Sequence, residues 1–246
     1  MNLLIDIGNS NLRWTRHGDG CTWDLSVARH SGGIPLDLLA QWERLEPPER
    51  LIVSNVGGQD VAAALTRVAR ALWGRSPDFL HTQAAFGGVR IAYEEPRRFG
   101  VDRWLGLIAA HAHTEQACLV VDVGTAATFD LLLADGQHLG GLILPGVEMM
   151  RKSLLMGTRI PRIEADPAAD PWATDTGPAV AAGSIHALAA LATRLFDRLA
   201  VEAGRQPSLI LTGGDAERIR PALDQPSELV PDLVLQGMRR VVEEAD

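Results

Sequence analysis

The sequence predicts an α/β protein of two similar lobes, because one β-hairpin pattern occurs twice along the chain. The stretch LLIDIGNSNLRW at 3–14 is an apolar strand that carries Asp6 near its end, followed by a glycine turn and a second alternating strand. LVVDVGTAATFDLLL at 119–133 repeats the arrangement, with Asp122 in the matching position. The length of 246 residues accommodates two units of about 120 residues each.

In the first lobe, apolar patterning predicts four strands and two helices. The strands are expected at 3–7, 12–16, 22–28 and 50–58, and the helices at 61–74 and within 98–113. On the first of these helices apolar residues recur with the spacing of one helical face, and Gly74 is a suitable C-cap. The second is expected to begin at Asp102, after a turn.

In the second lobe the same patterning restarts. Strands are expected at 118–124, 128–134, 137–146 and the start of 208–219, with helices at 179–204 and at the end of 231–244, after a strand-like piece. Asp135-Gly136 is a strong hairpin signal, and the Pro- and Asp-rich stretch 166–178 is expected to be a loop. The boundary is expected within 113–118, which gives lobes of 1–115 and 116–246.

Composition argues against several classes of function. The net charge of -8, without a basic stripe, disfavours nucleic acid or an anionic membrane as a partner. Lys152 is the single lysine, so the Walker-type run G-x-x-x-x-G-K-[ST] does not occur. Cys21 and Cys118 are too few for a disulfide framework or a zinc ligand set. With neither a signal-peptide pattern nor an apolar run of about 18–20 residues, we expect a soluble cytoplasmic protein.

The repeated Asp-x-Gly element predicts two phosphate-binding turns. Glycine permits a tight turn, and successive turn amides can bind an oxyanion, while Asn9, Ser10 and Thr125 add side-chain donors. A carboxylate beside such a turn repels phosphate unless it holds a cation, or a water on a cation, that the phosphates also touch. Asp6 and Asp122 therefore indicate metal near both turns. One copy of Asp-x-Gly is also an ordinary turn composition, so the prediction depends on the repetition.

The two hairpins, together with the late strand and double-glycine turn Leu211-Thr212-Gly213-Gly214, resemble the actin-like superfold of acetate and sugar kinases, Hsp70 and actin. In that superfold the hairpins hold the phosphates of ATP from opposite lobes, and the double-glycine turn lies near the adenosine. The resemblance implies use of ATP but not the identity of the second substrate.

The segment GVDR at 100–103 is the more specific signal. A helix that begins near Asp102 supplies a favourable dipole and free amides, which keep the carboxylate ionised. An ionised aspartate is a weak base, yet it suits phosphoryl transfer, where the attacking hydroxyl loses its proton late and orientation matters most. Arg103 can pair with an anionic acceptor or with phosphate. The alternative is a plain N-cap aspartate followed by a surface arginine.

Taken together, these residues resemble the type III pantothenate kinase family over nearly the whole chain. The resemblance assigns ATP-phosphate binding to one segment, namely Asp6, Ile7, Gly8, Asn9, Ser10, Asn11, Leu12 and Arg13. Ser10 stands where threonine is usual, which preserves the hydroxyl. The segment DVGTAAT at 122–128 resembles the second phosphate segment, in which Asp122 binds a monovalent cation and Thr125 contacts ATP.

The same resemblance assigns substrate contacts to Tyr93, Gly100, Val101, Asp102, Arg103 and Thr176. Asp102 is the expected proton acceptor. Val101 replaces a common alanine, and Asp175, before Thr176, replaces a common asparagine. The segment GGLILPG at 140–146 resembles the family's glycine-proline loop.

The resemblance further implies phosphorylation of pantothenate to 4′-phosphopantothenate, the first step of coenzyme A biosynthesis. It implies Mg-ATP, a monovalent cation (K⁺ or NH₄⁺), and a homodimer whose site lies near the subunit interface. Asp6 is expected to hold Mg²⁺ through water.

Two alternatives stay open from the sequence. Another small-molecule kinase on the same superfold, acting on a sugar or acetate, fits the hairpins but not GVDR or the short chain. A non-catalytic accessory protein that binds nucleotide without phosphoryl transfer fits the fold, although Asp6, Asp102 and Asp122 are all intact.

Overall fold

The computed structural model describes residues 1–160 and 172–244, which form twelve strands and seven α-helices. The chain divides into two compact units. The first comprises Met1–Gly87, Tyr93–Ala109 and Leu233–Asp246, and the second comprises Gly88–Ala92 and Ala110–Asp232. The C-terminal residues therefore belong with the first unit, whereas the sequence boundary placed all of 116–246 in one lobe.

The first unit is built on a five-stranded sheet with the order β3-β2-β1-β4-β5. Its elements are β1 (Asn2–Ile7), β2 (Asn11–His17), β3 (Ser26–Arg29), α1 (Leu36–Trp42), β4 (Leu51–Asn55), α2 (Gln59–Trp73), β5 (Asp78–Phe79), β6 (Ala85–Phe86), the start of α3 (Val101–His113) and α7 (Leu233–Glu243). β1 and β2 are antiparallel, as predicted for a hairpin, and β1 and β4 are parallel.

The second unit repeats this topology, with the order β10-β9-β8-β11-β12. Its elements are β7 (Val89–Arg90), β8 (Cys118–Val123), β9 (Ala126–Leu132), β10 (His138–Pro145), α4 (Val147–Gly157), α5 (Thr176–Ala203), β11 (Ser208–Thr212), α6 (Ala216–Ile219) and β12 (Glu228–Leu229). β8 and β9 form the second antiparallel hairpin, and β8 and β11 are parallel. Two lobes that each open with a β-hairpin are thus confirmed.

One face of the first sheet forms the core against α1 and α2. Leu3, Ile5 and Ile7 of β1 alternate onto this face and are fully buried. α2 buries Val61, Leu65, Ala69 and Trp73 against them and ends at Gly74, whose φ of 64° is the left-handed conformation of a glycine C-cap. The predicted helix and its cap are therefore confirmed.

The helix α5 corrects one expectation from composition. The sequence was expected to hold no run apolar and long enough to cross a membrane, yet Thr176–Ala203 passes that test by length and hydropathy. Its apolar residues have another partner, because Ile185, Leu188, Ala192 and Leu199 pack into the core of the second sheet. A long core helix carries the same composition as a membrane span, and 44% of the apolar window is buried inside the protein.

The last helix differs from the sequence expectation in position. A strand-like piece was expected within 231–244, but the strand is β12, upstream, and α7 already begins at Leu233. Gly237 fits against the backbone of Leu105, where a β-carbon would overlap the carbonyl. This close approach allows α7 to pack with α3 in the first unit. Of the predicted loop 166–178, residues 166–171 lie outside the described residues. Residues 176–178 belong to α5, which begins at Thr176, three residues before the predicted helix start.

Candidate active site

The first hairpin turn is closed by backbone hydrogen bonds from three directions. The N–H of Gly8 donates to the carbonyl of Asn11 at 2.9 Å, and the N–H of Val56, after β4, donates to Ile7 at 2.9 Å. The N–H of His30, after β3, donates to the carbonyl of Ser10 at 3.0 Å. The predicted ATP-phosphate segment thus runs from the end of β1 through this turn into the start of β2.

The side chain of Asp6 lies on the sheet face opposite the apolar core. Cross-strand register pairs Asp6 with Arg13 of β2 and with Ser54 of β4, so these three side chains share one face. Asp6 is only 5% exposed and Ser54 is fully buried. Leu12 points to the other face, where it belongs to the core. A carboxylate therefore lies at the buried end of β1, as the sequence predicts.

The second hairpin places Asp122 in the equivalent position. Asp122 pairs with Thr128 of the antiparallel strand β9 and with Thr212 of the parallel strand β11. Thr212 thus corresponds to Ser54, which pairs with Asp6 on the parallel strand β4, and both residues carry a hydroxyl. The hydroxyl is a shared feature that the sequence comparison of the hairpins missed, because its strand lies far along the chain in each lobe.

The double-glycine turn after β11 lies directly against Asp122. Gly213 has a φ of 93°, and a β-carbon there would overlap the Asp122 carboxylate and the Val123 carbonyl. Only glycine fits this position without a shift of the backbone. Within the turn of the second hairpin, the carbonyl of Thr125 accepts a hydrogen bond from Gly146 at 2.9 Å. The glycine-proline segment thus supports the residue expected to contact ATP.

The helix α3 begins at Val101, one residue before the predicted start. The Oδ1 atom of Asp102 accepts a hydrogen bond from the backbone N–H of Arg103 at 2.8 Å. A β-carbon at Gly100 would lie 2.6 Å from the same Oδ1 atom, so glycine is needed for this orientation. The carboxylate is thus held in the first turn of a helix, where the dipole favours its ionised form.

Arg103 is not the surface arginine of the alternative interpretation. It is only 9% exposed, and its guanidinium lies over the ring of Phe99, 4.6 Å from the centroid. Its Nη1 atom donates to the hydroxyl of Tyr93 at 3.4 Å, and the Tyr93 ring packs on Phe99 at 4.9 Å. Two predicted substrate residues, Arg103 and Tyr93, are therefore in direct contact. Both also pack on Phe99, a residue that the sequence analysis did not indicate.

A cavity of about 550 Å³ opens beside this segment within the first unit. Gly100 and Val101 line it, together with residues that the sequence analysis did not assign to a site, including Asn55, Gln59, His81, Thr82, Arg97 and Arg98. Cavities of 300–1,000 Å³ suit small-molecule ligands. Asn55 ends β4, Gln59 begins α2, and His81 and Thr82 follow β5, so the parallel pairing of β4 and β5 brings these four together. Arg97 and Arg98 come from the segment just before α3.

Thr176, the remaining predicted substrate residue, is the first residue of α5 in the second unit. Its N–H donates to the Oδ1 atom of Asp175 at 2.7 Å, so the aspartate that replaces a common asparagine serves as the N-cap. Thr176 lines a second cavity, of about 490 Å³, with Met150, Leu154 and Gly183.

Metal binding by protein side chains alone has little support in the described residues. Within 1–160 and 172–244, no three histidine, cysteine, aspartate or glutamate side chains group closely enough to hold an ion. Mg²⁺ is commonly bound by one or two carboxylates plus substrate phosphates, and it keeps several waters. Asp6 and Asp122, each one residue before the end of a strand that leads into a glycine turn, fit this second type of site.

Comparison with known proteins agrees with this geometry. A sequence profile described as type III pantothenate kinase matches residues 2–198. A type III pantothenate kinase from Nitrosococcus oceani is 39% identical over 99% of this chain and 94% of its own, and one from Chromobacterium violaceum is 39% identical over 98% and 99%.

Solved structures share the fold at low identity. A Baf family protein from Campylobacter jejuni covers 99% of this chain and 98% of its own, with 23% identity and a TM-score of 0.59. The activator of 2-hydroxyisocaproyl-CoA dehydratase from Clostridium difficile, solved with bound ADPNP, covers 99% and 94%, with 11% identity and a TM-score of 0.50. The predicted actin-like α/β fold is confirmed. The chain belongs to the type III pantothenate kinase family.

Proposed function

We propose that this chain transfers the γ-phosphoryl group of ATP to the primary hydroxyl of pantothenate, giving 4′-phosphopantothenate and ADP. Family membership supports the substrate pair. The observation that carries the mechanism is the orientation of Asp102, whose carboxylate is fixed in the first turn of α3 beside the cavity lined by Gly100 and Val101. The alternative acceptors, a sugar or acetate, have no comparable support.

Asp102 is the proposed proton acceptor. The pantothenate hydroxyl oxygen bonds to the γ-phosphorus, the bond from that phosphorus to the β,γ-bridging oxygen breaks, and the hydroxyl proton passes to the Asp102 carboxylate. The Arg103 N–H donates to the Oδ1 atom, and this bond fixes the orientation of the carboxylate that accepts the proton. Because the transition state is loose, orientation contributes more than basicity.

Arg103 and Tyr93 are proposed to position the pantothenate. The stack on Phe99 and the bond to the Tyr93 hydroxyl hold the guanidinium nearly buried, so little side-chain entropy is lost when it contacts an anionic or carbonyl group. Gly100, Val101 and Thr176 are proposed as further substrate contacts.

The two hairpins are proposed to hold the triphosphate. Residues Asp6–Arg13 supply turn amides and side chains, and Thr125 contacts ATP from the second hairpin. Asp6 would hold Mg²⁺ through water, and Asp122 would hold the monovalent cation, K⁺ or NH₄⁺. These cations neutralise phosphate charge when bound, which a chain with a single lysine cannot do with ammonium groups.

A homodimer in the cytoplasm is the proposed working form. Support comes from exposed apolar side chains on β10 and α4, namely Leu142, Ile143, Met149, Leu154 and Met156. Leu154 also lines the same cavity as Thr176, so a second copy that covered Leu154 would lie beside a proposed substrate contact. An Ile143→Glu variant is expected to be monomeric by light scattering; a dimer of unchanged affinity would contradict the proposed interface.

The test of function is ADP release from Mg-ATP, with and without pantothenate, in potassium and in sodium buffer. Release that requires both pantothenate and potassium is expected. Asp102→Asn should keep the fold and ATP binding but lose at least about 100-fold in kcat, the usual contribution of a positioned acid or base. Near wild-type turnover in that variant would sink the mechanism, and binding of ATP without turnover in folded wild-type dimer would favour the accessory-protein alternative.

A further inference from the structure

The imidazole of His30 lies against the first phosphate turn and has no role in the reaction as described so far. Its Nε2 atom is 2.8 Å from the carbonyl oxygen of Gly8, and the backbone N–H of Gly32 donates to its Nδ1 atom at 3.3 Å. A carbonyl oxygen can only accept, so the Nε2 atom carries the hydrogen and Nδ1 accepts. Both ring nitrogens are therefore used, and the ring is held in one orientation.

His30 contacts the turn twice, through its ring and through its backbone. Besides the bond from Nε2 to Gly8, its N–H donates to the carbonyl of Ser10 at 3.0 Å. The contact follows from the sheet, because β3 pairs with β2 in a register that ends at Arg29 opposite Asn11. The next residue, His30, is thereby placed beside the turn that precedes β2.

These two bonds fix the direction of the turn amides. In a planar trans peptide the C=O and the following N–H point to opposite sides. Holding the Gly8 carbonyl toward His30 therefore aims the N–H of Asn9 away from it, and holding the Ser10 carbonyl does the same for the N–H of Asn11. The carbonyl oxygens, which would repel a phosphate, face His30, and the amides face the opposite side.

We propose that His30 is a positioning residue for ATP, which keeps the first phosphate turn in the conformation that presents the amides of Asn9 and Asn11 to the phosphates. The inference rests on the proposed function only in that this turn binds the triphosphate. His30 itself does not touch the nucleotide. The Gly8 carbonyl also lies close to Gly57, where a β-carbon would be 2.6 Å from that oxygen, so a side chain at position 57 would displace the peptide.

Three variants at position 30 separate positioning from general stability. His30→Ala removes the ring, His30→Gln places an amide N–H at about the reach of Nε2, and His30→Asn places one too short to reach Gly8. His17→Ala is the matched control, since His17 ends β2 at the far end of the same hairpin, opposite Asn2. Each variant is titrated with Mg²⁺ and a non-hydrolysable ATP analogue, and KM and kcat are measured for ATP and pantothenate.

We expect His30→Ala and His30→Asn to bind the analogue about 5- to 10-fold more weakly, the effect of one lost hydrogen bond, with a matching rise in KM for ATP and unchanged KM for pantothenate. His30→Gln should recover most of the affinity, and His17→Ala should match wild type. Equal affinity of the Gln and Asn variants, or wild-type affinity of all three, would overturn the proposal. Direct analogue binding does not depend on turnover, so an inactive wild type would contradict the proposed function while leaving this test decisive.

Discussion

The second unit contains two histidine–carboxylate pairs that allow burial to be tested against distance. His138 Nε2 lies 3.1 Å from Asp130 Oδ1, and His113 Nε2 lies 2.7 Å from Glu228 Oε1. The longer bond is buried, with side chains 0% and 3% exposed, whereas the shorter one is 36% and 58% exposed. The Nδ1 atom of His138 also accepts a hydrogen bond from the N–H of Ala92 at 3.4 Å.

We predict that the buried pair contributes far more to stability, although its bond is longer. His138→Phe keeps a planar ring but removes both nitrogens, so the buried Asp130 carboxylate loses a partner and the part-buried bond from the Ala92 N–H is lost. The loss of a hydrogen bond to a buried charged group costs about 1.5–3 kcal/mol, and loss of the part-buried bond adds up to about 1 kcal/mol. The expected decrease in the free energy of unfolding is therefore about 1.5–4 kcal/mol, a large share of the roughly 5–15 kcal/mol of a typical protein.

The measurement is urea unfolding followed by circular dichroism, with His113→Phe as the matched control. The exposed pair is screened by water, so its loss should change the unfolding free energy by less than about 1 kcal/mol. Adding Asp130→Leu to His138→Phe should restore part of the stability, because the double variant no longer buries the carboxylate. Equal costs for the two single histidine variants, or a double variant less stable than His138→Phe alone, would refute this reasoning.

Three further predictions follow from single side chains. Arg103→Lys loses the planar stack on Phe99, so KM for pantothenate should rise about 10-fold with ATP binding unchanged; an unaltered KM would contradict its positioning role. Gly237→Ala should lower the free energy of unfolding by about 1–3 kcal/mol, because a β-carbon would overlap the Leu105 backbone, and a neutral effect would contradict that packing. Burial raises the pKa of the Cys118 thiol to about 12, so a maleimide at pH 8 should label the partly exposed Cys21 alone in native protein and both in urea; native labelling of Cys118 would contradict its burial.

Local sequence patterns were sufficient for the elements whose partners are close along the chain. The two hairpins follow from alternating apolar residues around a glycine turn, and the end of α2 follows from Gly74. Asp102 could be placed in the first turn of a helix because the turn and the helical apolar spacing adjoin it. In each case the physical cause operates over a few residues.

Contacts between distant segments could not be predicted in this way. His30 reaches Gly8 because β3 pairs with β2 in one particular register. The nearly buried Arg103 contacts Phe99 and Tyr93, and neither contact is visible in the sequence. The composition of α5 does not distinguish a core helix from a membrane span, since both need a long apolar surface. α7 belongs with the first unit, where it packs near β1 and approaches the α3 backbone closely at Gly237, and a single sequence does not reveal these contacts.

The register of the two sheets supports different partners for the two hairpin aspartates. Both lie one residue before the end of the first strand, and both have a buried hydroxyl on the parallel neighbour. On the antiparallel neighbour, however, Asp6 is paired with Arg13, while Asp122 is paired with Thr128. Arg13 adds a positive charge on the same sheet face as Asp6, which suits an indirect contact of Asp6 to Mg²⁺ through water. The oxygen-rich surroundings of Asp122 suit a directly bound monovalent cation, since hard cations prefer oxygen ligands. On this reasoning, Asp122→Asn should weaken the potassium dependence of turnover more than Asp6→Asn does, and the opposite order would assign the cation to the first hairpin.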